Sequence, residues 1–146
     1  MDSTTQQPHV LVADDDTYMR EMLRLMLEDE DIKVTTAVDG FESLQACEEQ
    51  RFDLILTDLH MPRLDGFELI AKLRRSGQYV TTPIIILSSD ERAHDTNRYK
   101  DRDDLVDWFI KGSQPQGLVD NVLKRIEEAR ACNLTELTAP DKQTTL

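Results

Sequence analysis

Basic residues are scarce: 17 Lys and Arg stand against 29 Asp and Glu in 146 residues, a formal net charge of −12. That deficit argues against binding nucleic acid through its phosphates, which needs a basic face, and against docking on anionic membrane. It fits a chain whose partners are cationic or carry a metal. Only two cysteines occur, Cys47 and Cys132, far apart and in no CxxC arrangement, so they supply neither a disulfide framework nor a zinc site and read as reduced thiols. No apolar run approaches the roughly 20 residues needed to span a bilayer. Met1 to His9 is polar and lacks the apolar core of a signal peptide, so the expected location is cytoplasmic. What remains suffices for one domain, since 39% of residues are hydrophobic, enough for a single sizeable core.

Residues 1–7 read as a polar leader, 8–131 as the domain, and 132–146, polar and aperiodic with Pro140, as a disordered tail. His9 to Ala13 is a short apolar run, expected to be a strand, that stops at Asp14-Asp15-Asp16. Met19, Met22, Leu23, Met26 and Leu27 then recur at helical spacing, with Arg20 and Arg24 on the other side and Asp16 suited to the N-cap. Ile32 to Thr36 alternates and is β-branched, a second strand. Asp39/Glu42 and Asp65/Glu68 are capping boxes opening helices that turn Leu44 and Cys47, and then Phe67, Ile70 and Leu73, inward. Phe52 to Leu56 and Pro83 to Leu87 are continuous apolar runs, as expected of strands buried on both faces. Leu105 to Ile110 is a fifth strand ending at Lys111. Ser113 to Gln116 is a further capping box, before a helix with Leu118, Val119, Val122, Leu123 and Ile126 inward. Glu91 to Asp104 holds only Ala93 and Tyr99 as apolar residues, little face for a helix to bury. The pattern predicts an α/β fold: (βα)5, a doubly wound five-stranded parallel sheet of flavodoxin-like type.

Parallel strands one, three, four and five would bring Asp14 and Asp15, Asp58, Ser88 and Lys111 to one edge of that sheet, where ligands of open α/β sheets sit. Carboxylates within about 4 Å repel by up to about 4 kcal/mol per pair at an effective dielectric near 20, so the cluster calls for a cation. Hard oxygen ligands with room for water suit Mg²⁺. Lys111 supplies fixed positive charge and Ser88 a hydroxyl for an anion arriving with the metal. A phosphoryl group fits, with the Asp58 carboxylate as the in-line nucleophile.

These residues resemble the receiver domains of two-component response regulators. The resemblance rests on Asp14-Asp15, on Asp58 within Leu56-Thr57-Asp58-Leu59-His60-Met61-Pro62-Arg63-Leu64-Asp65-Gly66, on Ser88-Ser89 and on Lys111, and it covers roughly Pro8 to Ala131. It implies that Asp58 is the phosphoacceptor and that Asp15, Asp58 and the His60 backbone carbonyl hold Mg²⁺, with Asp14 acting through water. It implies a switch in which Ser88 meets the phosphoryl oxygen and Trp108, where the family has Tyr or Phe, swings inward. The side chains of His60 and Asp90 would tune hydrolysis. The implied function is that of a stand-alone receiver, not a conventional enzyme, since it catalyses only its own phosphorylation and dephosphorylation. It would take its phosphoryl group from a sensor histidine kinase or histidine phosphotransfer protein and signal by contact with a downstream protein, with a phosphorylation-dependent homodimer as an option.

Three departures stand out. Lys111 is followed by Gly112 rather than Pro, so a trans bond and an altered loop are expected, because a cis bond before a non-proline residue costs about 2.5–4 kcal/mol. Trp108 is bulkier than Tyr, and reads equally as an exposed residue of a partner-binding face. Asp104 replaces the usual Gly before strand five. Two other functions compete: a degenerate receiver serving as a scaffold without phosphorylation, and a haloacid dehalogenase-type phosphohydrolase using Asp14 of Asp14-x-Asp16, although Tyr18 stands where that motif wants Thr or Val. His9 and His94 have no evident partners and read as solvated.

Overall fold

The computed structural model describes residues 6–89 and 106–137, with side chains described as far as Ala131. The segment Glu91 to Asp104, with Asp90 and His94, lies outside the described residues, as do 1–5 and 138–146. In chain order the elements are β1 (His9–Ala13), α1 (Thr17–Glu28), β2 (Lys33–Ala37), α2 (Gly40–Glu49), β3 (Leu54–Asp58), α3 (Gly66–Arg75), β4 (Ile84–Ser88), β5 (Val106–Ile110) and α4 (Pro115–Leu137). The five strands form one sheet in the order β2-β1-β3-β4-β5, every pair parallel. This is the expected flavodoxin-like architecture.

Every residue of β3 and β4 is buried, which is why both read as unbroken apolar runs rather than alternating ones. Alternate side chains supply two cores. On one face Leu11, Ile55, Ile84 and Ile86 pack with Phe67, Ile70 and Leu73 of α3 and Cys47 of α2. On the other, Val10, Val12, Leu56 and Leu87 pack with Leu23 and Leu27 of α1 and with Leu118, Val119, Val122 and Ile126 of α4. Met19, Met22 and Met26 line the edge of this second core, as their spacing implied. Each fully buried Leu or Ile contributes about 1.5–3 kcal/mol relative to exposure.

The helix starts follow their caps. Asp16 accepts from Tyr18 N at 3.0 Å, and the Asp65/Glu68 box is complete in both directions. At α2 only half the expected box forms: Asp39 accepts from Glu42 N, but the Glu42 carboxylate takes Val38 N instead of Asp39 N. Pro115 is the first residue of α4, a step later than a Ser113 cap would start it, and the first turn closes from Gly117 N onto Gln114 O.

Several other expectations need correction. β3 runs Leu54–Asp58 rather than 52–56, because its ladder with β1 and β4 continues through Thr57 and Asp58; Asp58 is thus the last strand residue and not a loop residue. The tail expected from 132 starts too early, since α4 continues to Leu137. His9 is not solvated. Its ring lies 4.6 Å from the Phe52 ring and its Nε2 is 2.8 Å from Thr35 Oγ1, and burial, with Lys33 nearby, lowers its pKa. Cys47 is a buried core residue whose thiol is pushed up by burial to about 11.

Gly40, the first residue of α2, is forced by proximity. A Cβ there would stand 2.6 Å from Leu64 Cβ and 2.7 Å from Leu64 O. Gly40→Ala should therefore destabilise the fold by about 1–3 kcal/mol through overpacking, despite the better helix propensity of Ala. Urea unfolding should show a lower midpoint at unchanged slope.

Candidate functional site

The strand order reverses direction between β1 and β3, and the crevice beyond their carboxyl ends is where the polar strand ends meet. Asp14 follows β1 and is fully buried, its N–H donating to Ala37 O. Register sets Asp58 opposite Leu87, so Ser88, buried at the end of β4, lies one residue further along the neighbouring strand. Ser88 O in turn accepts from Lys111 N at 2.7 Å, which fixes the start of the Lys111 side chain beside β4. The Lys111 ammonium bridges the two buried acids, with Nζ 2.9 Å from Asp14 Oδ2 and 3.2 Å from Asp58 Oδ2. Asp15 is exposed at the rim, and one carboxylate oxygen from each of Asp14, Asp15 and Asp58 lies within 4.8 Å of the other two.

The loop that follows is pressed against the end of β3. Gly66 N donates to Leu59 O, and a Cβ at Gly66 would stand 2.6 Å from Asp58 O. Thr57 Oγ1 donates to the same carbonyl at 3.0 Å. Backbone around Asp58 is thereby held from two sides while its carboxylate faces the crevice.

The electrostatics are not balanced by protein alone. Burial is the largest influence on the Asp58 carboxyl and raises its pKa; the Asp14 charge adds to this and Lys111 offsets part of it, leaving the value at about 6. Burial also pulls the Lys111 ammonium down, but its contacts with Asp14 and Asp58 outweigh that and raise its pKa. Asp14 Oδ2, though ion-paired to Lys111, is buried without a directed hydrogen bond. A buried carboxylate oxygen in that state, next to two further hard oxygen donors, fits a small divalent cation.

The family profile of the response regulator receiver domain matches residues 10–123. The chain belongs to that family. A 14.6 kDa protein from Leptolyngbya boryana is 37% identical over 80% of this chain and 88% of its own length. Matching curated transcriptional regulators are longer, and this chain spans 39% to 56% of them. Among solved structures, the chemotaxis response regulator CheY4 of Vibrio cholerae is 31% identical, with a TM-score of 0.74 over 83% of this chain and 99% of that one. The receiver domain of sensor histidine kinase PA1611 from Pseudomonas aeruginosa, solved with magnesium in its active-site cleft, shares the fold at 24% identity and a TM-score of 0.74 over 84% of this chain and 99% of that one.

In this receiver domain Asp14, Asp15, Asp58 and Lys111 come together as the strand ends implied, and Ser88 joins them by register. His60 is exposed on the loop directly after Asp58; Asp90 lies outside the described residues. Trp108 is half-buried and packs edge-to-face on Phe67 with ring centroids 6.0 Å apart, against the core rather than projecting as a free surface residue. The Lys111–Gly112 bond is trans, and Gly112 takes φ +100, a left-handed turn that suits glycine where the family has proline.

Sequence reasoning missed Arg20, set aside as outward-facing. Its Nη1 donates to Asp14 O at 2.8 Å and its Nη2 to Thr17 Oγ1, so it braces the acidic turn from α1. Its place three residues after Thr17 on the first turn of a helix was the available signal, but a backbone acceptor leaves no mark in a sequence.

A carboxyl pKa raised from 3.8 to about 6 means the folded chain binds the proton more tightly than the unfolded one. Stability should fall as pH rises from about 4 to about 6 and stay low above that. At about 1.4 kcal/mol per pH unit the penalty is on the order of 2–3 kcal/mol. Asp58→Asn, in EDTA, should therefore be more stable than wild type at pH 7.5 by that order, with the gap shrinking toward pH 4. Urea melts at the two pH values check it, and a less stable variant at pH 7.5 would refute it.

Proposed function

We propose that the chain is a phosphorylated signalling receiver: Asp58 accepts a phosphoryl group from a phosphohistidine donor in a Mg²⁺-dependent reaction, and the signal passes by protein contact. The observation carrying this reading is the Lys111 ammonium held between Asp14 and Asp58 beside the exposed Asp15. In the transfer an Asp58 carboxylate oxygen forms the new bond to phosphorus as the P–N bond to the donor imidazole breaks, and the imidazole nitrogen leaves with the electron pair. Lys111 is placed to take up charge on the transferred group while Asp14 anchors it. Mg²⁺, when bound by Asp15, Asp58 and the His60 carbonyl with Asp14 behind them, supplies the further positive charge that this transfer needs. Family membership supports this cofactor, as does the magnesium in the PA1611 receiver.

The donor is a sensor histidine kinase or a histidine phosphotransfer protein, the class that receivers serve. The chain catalyses only its own phosphorylation and dephosphorylation, with His60 and Asp90 as tuning residues. Ser88 and Trp108 form the switch, Trp108 through its contact with Phe67 of α3. Use of Asp14 as the nucleophile of a phosphohydrolase is disfavoured, because Asp14 is fully buried with Oδ1 accepting from Asp16 N and Oδ2 paired to Lys111.

Incubation with Mg²⁺ and acetyl phosphate should add one phosphoryl group by intact mass. Asp58→Asn should abolish the label. Loss confined to Asp14→Asn would instead indicate a phosphohydrolase, and absence of label from wild type a scaffold. Trp108 emission should shift on adding Mg²⁺ and beryllofluoride, since the ring lies half-buried against Phe67; an unchanged spectrum would remove Trp108 from the switch.

A further inference from the structure

The loop between β3 and α3 carries a left-handed residue that is not glycine. Arg63 has φ +71, a conformation non-glycine residues keep only when their surroundings over-determine it. Its guanidinium donates from Nε to Asp39 Oδ2 at 3.0 Å and from Nη2 to the same oxygen, and sits over the Phe41 ring, 5.1 Å from the centroid. Asp39 is buried and already caps α2 through its other oxygen. Next to Arg63, Leu64 is buried against Gly40 at the start of α2. Two residues further on, Gly66 touches the carbonyl of Asp58. The loop is thus tied to α2 at one end and to the acceptor strand at the other.

Surface ion pairs contribute little, and the Arg63 side chain is 60% exposed. This pair differs in three respects: its carboxylate is buried, it is reached by two donors of one planar fork, and the cation also covers an aromatic ring.

We infer that Arg63 is a positioning residue for the reaction at Asp58: by latching onto Asp39 and Phe41 it holds the 60–64 loop in the conformation in which the main chain after Asp58 can serve Mg²⁺. This rests on the reading proposed above. A loop already ordered needs no ordering when the ion binds, so the latch acts on ion affinity and not on the transfer once the ion is in place.

The test uses Arg63→Gly, which accepts φ +71 without the guanidinium, and Asp39→Asn, which keeps a good N-cap but drops the charge. Mg²⁺ binding is measured by isothermal titration calorimetry, and labelling by acetyl phosphate is followed as Mg²⁺ is varied. Each variant should bind Mg²⁺ about three- to tenfold more weakly, while its labelling rate at saturating Mg²⁺ stays within about twofold of wild type. The double variant should lose no more than Arg63→Gly alone, because once the guanidinium is gone the Asp39 charge has no latch to hold. Unchanged Mg²⁺ affinity in both variants overturns the latch, whether or not the saturated rate or the melting temperature falls. If wild type itself neither binds Mg²⁺ nor takes label, the functional reading fails and the latch with it; if wild type and variants all do both alike, the latch alone fails.

Discussion

The ion pair of Lys111 with Asp14 and Asp58 is what the carboxyl edge of the sheet depends on. Two buried carboxylates facing one crevice would repel strongly in an environment of low dielectric, and a single ammonium shared between them offsets much but not all of that. Burial, with the Asp14 charge added to it, outweighs Lys111 and leaves the Asp58 carboxyl raised to about 6. The site is therefore under electrostatic load before any ligand arrives. A divalent cation would relieve that load.

That load can be carried because the acids are mounted at the ends of buried, fully paired strands. β3 and β4 are buried along their whole length, and the registers of β1 with β3 and of β3 with β4 leave Asp14, Asp58 and Ser88 no freedom to drift along the strands. Parallel pairing puts all the carboxyl ends on one edge, so a sequence need only end each strand in the right polar residue for the site to assemble. Lys111 reaches the same edge because its own N–H is bound to Ser88 O, after which the chain turns away at Gly112.

The legible parts of the molecule are those with local signals. Apolar runs gave four of the strands and the β-branched alternation of Ile32 to Thr36 the other, the 3.6-residue period gave the inward faces of α1, α3 and α4, and Asp16 and Asp65 announced their helices by cap chemistry. The acid pair, Asp58, Ser88 and Lys111 were legible as a set only because a parallel sheet converts separate strand ends into neighbours. What escaped depends on partners far apart in sequence. His9 reads as a free polar residue until the sheet sets it against Phe52 and Thr35. The end of β3 could not be placed from hydrophobicity, because Thr57 and Asp58 stay in the ladder through their backbones while their side chains are polar.

Arg20 and Arg63 show the same limit at the site itself. Neither contributes an atom to the cluster of acids, yet Arg20 grips the carbonyl of Asp14 from α1 and Arg63 grips the cap of α2 from the acceptor loop. Both arginines thereby connect a helix to the main chain beside one of the clustered acids. Rigid strands alone would fix the acids but leave the loop above them to be ordered by each ligand in turn. Fastening that loop to α2 ties the edge of the site to a second element besides the sheet, and it makes the start of α2 part of the surroundings of Asp58 even though α2 contributes no ligand.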